Sequence, residues 1–291
     1  MLSYQHEYHA GNFADVLKHC CLLEILSSLI QKDKPFTIID THAGSCLYSL
    51  SDERILKTRE AENGIKKLLQ FLDNKKENLP QAISLYLEKE KPFILNEQYA
   101  GSPALECGFL RENDQLHLIE LHPEAYKNLF HNIESLNNQK RSIHLHNSDS
   151  FTTLNALTPP LIKRGLILCD PSYEDKDDFK KTAQALINAH KKWNTAIIAL
   201  WYPLLTRRQN EINQMTYALE NAAKTGNHPS PFYKCELKLF EDDKIPEAMT
   251  EQNASHMYGS GMLIINSPWQ LDVKMNDTVA FLEKVLREVS L

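Results

Sequence analysis

Apolar residues recur at helical spacing directly after Asn12: Phe13, Val16, Leu17, Cys20 and Leu23, then the run Leu26–Ile30. Asn is a good N-cap, so the pattern predicts a helix over about Phe13 to Gln31, with Pro35 beyond its end. Phe36-Thr37-Ile38-Ile39 follows as a short β-rich run, closed by Asp40 and a loop with Gly44. From about Leu56 to Glu90 the period is helical and strongly charged, with Ile65, Leu68, Leu69 and Leu72 on one side. Pro80 interrupts this stretch once, which predicts two helices.

The second half alternates strand and helix. Strands are predicted at Gln115–Ile119, Ser142–His146, Gly165–Cys169 and Ala196–Trp201, and then at Phe232–Phe240 and Gly261–Ile265. Helices are predicted over about Pro123 to Asn137, Asp178 to Trp193, Arg207 to Lys224 and Met275 to Val289. Alternation of this kind predicts an α/β fold, a mostly parallel, doubly wound sheet covered on both faces. Ligands bind such sheets at the carboxyl ends of their strands. Asp40, Glu120, Asp149 and Asp170 each fall just after an apolar strand, so all four are expected on that rim.

Composition narrows the class. Hydrophobic residues make up 42% of the 291, enough for a core, and charged residues are 24%, which argues against disorder. No apolar run reaches the roughly 18 residues of a membrane span. The N-terminus lacks the basic and apolar regions of a signal peptide, so the expected location is cytoplasmic and no membrane partner is expected. The six cysteines form no C-x-x-C pair and have no histidine at zinc spacing, so neither a metal site nor a disulfide framework is expected. The net charge of −6 weighs against gripping duplex nucleic acid by charge alone. Lys163-Arg164, Lys180-Lys181, Lys191-Lys192 and Arg207-Arg208 are candidates for a local basic patch, or ordinary solvated helix ends.

The sharpest chemical signal is Asp170-Pro171-Ser172-Tyr173, after the strand Gly165–Cys169. Methyltransferases acting on base amines carry an acidic or amide residue, two prolines and an aromatic here. The lone pair of an adenine N6 is delocalised into the ring and is a poor nucleophile. A side-chain acceptor and a proline-fixed carbonyl can hydrogen-bond both amino hydrogens and aim that lone pair. The aromatic ring can stack on a base turned out of its helix. Taken alone, the tetrapeptide also reads as a plain strand-ending turn. Asp40-Thr41-His42-Ala43-Gly44 is the second signal: strand, acid and tight glycine loop let a nucleoside cofactor approach the backbone. Glu120 is placed to accept from both ribose hydroxyls, and Asp149, in Ser148-Asp149-Ser150-Phe151, to accept from an adenine amine. The opening Tyr4-Gln5-His6-Glu7-Tyr8-His9 is rich in rings that stack on or bond to bases.

Several blocks, in order, resemble one family. They are Ser3-Tyr4 with His6, His9-Ala10-Gly11-Asn12, Ala14-Asp15-Val16-Leu17-Lys18-His19, Asp33-Lys34-Pro35-Phe36 and Asp40-Thr41-His42-Ala43-Gly44. Gly101-Ser102-Pro103, Glu120-Leu121-His122-Pro123, Arg164-Gly165-Leu166-Ile167-Leu168, Leu200-Trp201-Tyr202-Pro203 and Ser260-Gly261-Met262 continue the series. Together they are similar to the bacterial large-subunit (23S) ribosomal RNA adenine-N6 methyltransferase J family, which also carries a label for catabolism of external DNA. The resemblance implies a Rossmann-like class I S-adenosylmethionine-dependent methyltransferase, a single domain over 1–291 with a helical insertion at about 52–98. It implies cofactor contacts at Lys18, His19, His42, Gly44, Ser102, Glu120, Asp149, Ser150 and Asp170. Asp170, Pro171 and Tyr173 are the expected catalytic group, and Tyr4, His6 and Tyr173 the expected substrate contacts. The implied partner is ribosomal RNA, protein-free or in early assembly. Three places depart from the family pattern: Ser150 stands where glycine is usual, Ser172 replaces the second proline, and His256-Met257-Tyr258 differs near the end.

Other readings share these residues. DNA adenine would use the same chemistry, since only the 2′-hydroxyl separates the substrates. A non-catalytic nucleic-acid-binding scaffold would be consistent with Ser150 and Ser172. A nicotinamide oxidoreductase would need G-x-G-x-x-G and an acid about 20 residues on, and neither is present.

Overall fold

A computed structural model describes residues 6–74, 77–137, 141–225, 229–240 and 256–287. Asn12 starts the first long helix, as its side chain accepts from the backbone N–H groups of Ala14 and Asp15 at 2.9 and 3.0 Å. That helix, α1 (Phe13–Ile30), is buried almost all round, including its Asp15, Lys18, His19 and Glu24. The sequence pattern had marked only one apolar side. A helix enclosed on every side keeps charged residues only where partners meet them.

The chain then enters β1 (Thr37–Asp40) and, after a tight loop, β2 (Leu47–Ser49). The stretch predicted to hold two helices holds three, α2 (Glu53–Thr58), α3 (Ile65–Asn74) and α4 (Gln81–Ile94), because a left-handed Arg59 (φ +58°) ends α2 and a short 3-10 turn separates it from α3. Pro80 caps α4, and Pro92 sits inside its last turn. β3 (Gln98–Ala100) returns antiparallel to β2, with Tyr48 opposite Tyr99, so a two-stranded ribbon brackets the helices between them. α5 (Ser102–Cys107) leads into β4 (Gln115–Ile119), α6 (Pro123–Leu136), β5 (Ser142–His146) and α7 (Ser150–Leu157). Then come β6 (Gly165–Cys169), α8 (Lys176–Lys192), β7 (Ile197–Leu205), α9 (Gln209–Lys224), β8 (Phe232–Lys238), β9 (Met257–Ile265) and α10 (Leu271–Leu286).

Seven strands form one sheet in the order β5-β4-β1-β6-β7-β9-β8. The first five are parallel, and β9 runs antiparallel between β7 and β8. Helices α1, α5 and α10 pack on one face, and α7, α8 and α9 on the other. β6 is apolar along its whole length and fully buried, as a central parallel strand must be. Gly165 opens it because a Cβ there would meet the Thr37 carbonyl oxygen of β1 at 1.9 Å. The order of connection reverses at β1, between β4 and β6. This switch point opens a crevice at the carboxyl ends of those strands.

Several segments differ from the sequence expectation. β2 and β3 are three residues each, too short for a period to show. α5 and α7 fill stretches that carried no helical signal. α8 begins at Lys176, because Asp175 and Asp178 cap it reciprocally. β7 runs on through Tyr202 and Pro203 to Leu205, past the end of β6. Pro203 is tolerated there because β7 has no partner on the β6 side beyond Leu200.

Candidate active site

A cavity of about 210 Å³ lies at the switch point. Its lining brings together residues far apart in sequence: His6, Lys18 and His19 from the N-terminal segment, His42 and Gly44 after β1, and Ser102 on α5. Glu120 after β4, Asp149 and Ser150 after β5, and Asp170, Pro171 and Ser172 after β6 complete it. Tyr4 lies outside the described residues.

The loop after β1 is held by its neighbours. Gly44 adopts a left-handed φ of +63°, and a Cβ there would lie 2.2 Å from the Tyr48 hydroxyl, so glycine is required on both counts. Its N–H donates to Glu120 Oε2 at 2.9 Å, while the N–H of His122 donates to Oε1 at 2.6 Å. These bonds orient the Glu120 carboxylate at the cavity wall, and burial raises its pKa. His42 packs edge-on against Phe151, with ring centroids 5.8 Å apart. Burial lowers its pKa to about 4, against the opposing pull of Asp170, so the ring is neutral near pH 7. Asp149 caps α7 by accepting from the Thr152 N–H at 2.8 Å, which fixes its side chain beside Ser150.

Asp40 departs from the expectation that four strand-end acids share the rim. It is fully buried and absent from the cavity wall. Its carboxyl accepts from Ser102 Oγ at 2.6 Å and from the His42 N–H at 3.1 Å, so it holds the wall from behind. Burial raises its pKa to about 6.

The N-terminal segment contributes a charge relay across α1. His6 Nε2 lies 3.1 Å from Asp15 Oδ2, and the Lys18 ammonium lies 2.9 Å from Asp15 Oδ1. Lys18 also donates directly to Asp170 Oδ2. Burial alone would favour uncharged groups here. Lys18 and His6 nevertheless hold the Asp15 carboxyl well below its usual range, and the two carboxylates raise Lys18 above its ordinary value. The residue expected to engage a substrate amine is thus tethered to a buried cation on another element.

Tyr173 sits apart from the cavity. Its ring is 6% exposed and stacks on Phe179 at 4.4 Å, and its hydroxyl donates to the Trp201 carbonyl at 3.1 Å. With φ at +52°, the backbone turns this ring into the core and leaves Pro171, Ser172 and Glu174 at the surface of the cavity. A base stacked on Tyr173 would first have to displace Phe179.

Some wall residues carried no sequence signal. Glu7 is buried and accepts from Ser45 Oγ at 2.6 Å, and Tyr48 accepts from the Ser45 N–H at 3.1 Å. Both depend on pairings between distant segments, so spacing could not reveal them. None of the four basic pairs contributes to the cavity wall. Arg164 bonds the carbonyls of Leu29 and Lys34, and Lys192 bonds Asn155, at the amino ends of the strands. Among the described residues no group of three or more His, Cys, Asp or Glu is placed to hold a metal ion, and no helix is long and apolar enough to cross a membrane.

Comparison with known proteins places this geometry. Residues 33–290 match the family model described as Ribosomal RNA large subunit methyltransferase D, RlmJ. The chain is 37% identical over 289 residues to Ribosomal RNA large subunit methyltransferase J of Escherichia coli (strain K12), covering 98% of this chain and 94% of that one. It is 36% identical, with the same coverage, to the protein of that name from Haemophilus influenzae. A crystal structure of a protein from Legionella pneumophila superposes with a TM-score of 0.81 at 33% identity, covering 96% of this chain and 94% of that one. By sequence over nearly its whole length, the chain belongs to the RlmJ family of ribosomal RNA large subunit methyltransferases.

Proposed function

We propose that this protein transfers a methyl group from S-adenosylmethionine to the exocyclic N6 of an adenine in large-subunit ribosomal RNA. The observation that carries the reading is the placement of Asp170 and Pro171 at the carboxyl end of β6, on the wall of the switch-point cavity. Family membership supplies the substrate class.

The donor set suits the cofactor. The Glu120 carboxylate is oriented by two backbone N–H groups and keeps lone pairs toward the cavity, as ribose hydroxyls require. Asp149 has one oxygen engaged in capping and the other available to an adenine amine. His19 is fully buried in the wall, with Nε2 lacking a protein partner. Gly44, His42, Ser102 and Ser150 complete the wall around these groups. When bound, the cofactor supplies a methyl group made electrophilic by its sulfonium.

The protein's part is alignment. The Asp170 carboxylate, tethered by Lys18, accepts one hydrogen bond from the adenine amine. The Pro171 carbonyl accepts the other, so the nitrogen lone pair is turned out of the ring and toward the methyl. Lys18 gives Asp170 a fixed direction before substrate arrives, which lowers the reorganisation needed at transfer. His6, on the same relay, and Tyr4 are assigned to the RNA side. Tyr173 is assigned to support the loop from below, because its ring is engaged by Phe179 and Trp201. Residues 52–98 are assigned as an insertion within one domain.

The test is transfer of radiolabelled methyl to protein-free large-subunit ribosomal RNA from cells lacking the gene, with genomic DNA from the same cells in parallel. Label recovered as N6-methyladenine in RNA is the expected result. The Asp170→Ala protein is expected to lose at least about a hundredfold in transfer while binding S-adenosylhomocysteine within a fewfold of wild type. An active Asp170→Ala protein, or label confined to DNA, overturns the respective half of the proposal.

A further inference from the structure

Glu90 is a buried carboxyl that the chemistry described above does not use. It stands on α4, is fully buried, and does not itself line the cavity. Its Oε1 accepts from the Ala100 N–H at 2.6 Å, and its Oε2 is buried with no partner among the described residues. Ala100 ends β3, and the next two residues, Gly101 and Ser102, are cavity wall. The Gly101 N–H donates to the Cys46 carbonyl at 2.8 Å, and Ser102 Oγ donates to Asp40, whose other oxygen takes the His42 N–H. This stretch is thus pinned in turn by Glu90, Cys46 and Asp40. A second line runs from the same two elements. The hydroxyls of Tyr86 on α4 and Tyr99 on β3 lie 3.2 Å apart, and that of Tyr99 lies 3.0 Å from His19 Nδ1 in the wall. α4 and β3 therefore back the cavity at Ser102 and His19 together.

The surroundings of Glu90 favour its neutral form. On α4 itself, Lys89 pairs with exposed Glu88 and Lys91 is exposed. Tyr86 and Tyr99 are phenols that burial keeps neutral, as it does the thiols of Cys20 and Cys21 on α1. Also on α1, Lys18 is committed to Asp15 and Asp170, burial holds His19 neutral with a pKa of about 3, and Glu24 is paired with Lys274. On the α10 side, Lys284 and Arg287 pair with Glu77 and Glu283, and Asp272 and Asp277 are exposed. The charged group that acts on Glu90 is Asp15, which has the same sign. Burial, with Asp15, raises the Glu90 pKa from 4.5 to about 8 against the single hydrogen bond from Ala100. An ionised carboxylate in this place would have one donor for two oxygens, and water is the remaining source. To reach water it has to separate α4 from β3, which releases Ala100 and with it Gly101 and Ser102.

We infer that Glu90 is a positioning residue for the cavity: its neutral carboxyl clamps Ala100, and through Ala100 the Gly101–Ser102 wall, and its ionisation releases that wall and weakens ligand binding. The segment between β1 and β4 thereby sets an alkaline limit on a cavity to which Glu90 contributes no surface. The clamp is a property of the empty protein. That the ligand affected is the cofactor rests on the proposed function.

The experiment is carbon-13 NMR of glutamate-labelled, ligand-free protein, with the Glu90 carboxyl assigned from the Glu90→Gln spectrum. Gln keeps an oxygen for the Ala100 N–H and cannot ionise. The expected Glu90 signal is that of a protonated carboxyl near pH 7 and titrates around pH 8. Amide exchange at Ala100 and Ser102 speeds up around the same midpoint in wild type, relative to Glu90→Gln. Calorimetry with S-adenosylhomocysteine reads the coupling to the ligand. The ratio of the wild-type dissociation constant to that of Glu90→Gln rises at least about fivefold from near pH 7 to near pH 9, and saturating ligand moves the Glu90 titration upward by the same linkage. A Glu90 carboxylate already ionised near pH 7, or exchange and affinity ratios that stay constant while Glu90 titrates, overturns the inference. Exchange that follows Glu90 in a protein that binds no S-adenosylhomocysteine at any pH upholds the clamp and overturns the cofactor reading instead.

Discussion

Lys18 meets both Asp15 and Asp170 from a position only 4% exposed, and each carboxylate depends on it. A cation so placed contributes little net stability while its partners remain, because desolvation offsets attraction. Removing it alone leaves two buried negative charges facing each other. Lys18→Met is therefore expected to destabilise the protein by on the order of 3 kcal/mol, read as a lowered urea midpoint. A variant as stable as wild type would mean that water or another cation serves Asp15 and Asp170. Gly44 shows the same economy at the backbone. A single position answers to φ, to the Tyr48 hydroxyl and to Glu120 together, so one glycine suffices where dinucleotide-binding loops use three.

At the scale of elements, β4 and β5 carry a ladder of imidazoles. His117 stacks on His144 at 4.7 Å and on His146 at 5.4 Å, with His117 Nδ1 and His146 Nε2 3.1 Å apart. Burial first, and then the neighbouring imidazoles, lower the His117 pKa from 6.5 to about 4; His146 is lowered for the same reasons. A base whose folded pKa is depressed leaves the unfolded chain holding more protons below pH 6.5, so stability falls as pH drops from there toward 4. Across that window the urea midpoint of His117→Gln should fall less than that of wild type. His19 and His42, depressed as well, act in the same direction as the ladder, whereas Asp40 and Glu120, whose raised pKa values favour the folded state as pH falls, act against it. If wild type and variant run parallel, the ladder does not control acid stability.

Elements set by local signals were legible in the sequence. Asn12 named the start of α1 because a cap needs only the next few residues. Gln115–Ile119, Ser142–His146 and Gly165–Cys169 were legible to the residue, because apolar runs bounded by polar residues define a strand locally. What escaped was set by partners far away. The ribbon of β2 and β3 exists because Tyr48 faces Tyr99 across the helices between them. The burial of Asp40 and the inward turn of Tyr173 depend on Ser102 and Phe179, which no spacing rule connects to them. The same holds for the hydroxyl chain to His19. The acids after β4, β5 and β6 could be listed from sequence as strand-end residues, but only the fold separates them from Asp40.

Across the whole molecule, α10 closes back over α1 near the end of the described chain. Lys274 donates to Glu24 Oε2 at 2.6 Å, and Glu24 is 1% exposed at its side chain. This contact joins residues about 250 apart in sequence, and neither lines the cavity. Lys274→Met leaves Glu24 buried without its cation and is expected to cost about 3 kcal/mol of global stability. Methyl transfer well below the melting temperature is expected to be unchanged, which separates this ion pair from that of Lys18. A loss of transfer with stability intact would show coupling between the α10 face and the cavity.

The enclosure of α1 also bears on how such a chain can vary. Asp15, Lys18 and His19 serve the cavity from one side of the helix, while Glu24 answers α10 from another. One residue added or removed between them would rotate everything beyond by about 100° and send these groups to the wrong neighbours. Substitutions can be absorbed there singly, but a change of length cannot. Length variation among relatives should therefore be excluded from α1 and concentrate in the outer turns between β2 and β3, where a loop can lengthen without moving the hydroxyls of Tyr86 and Tyr99.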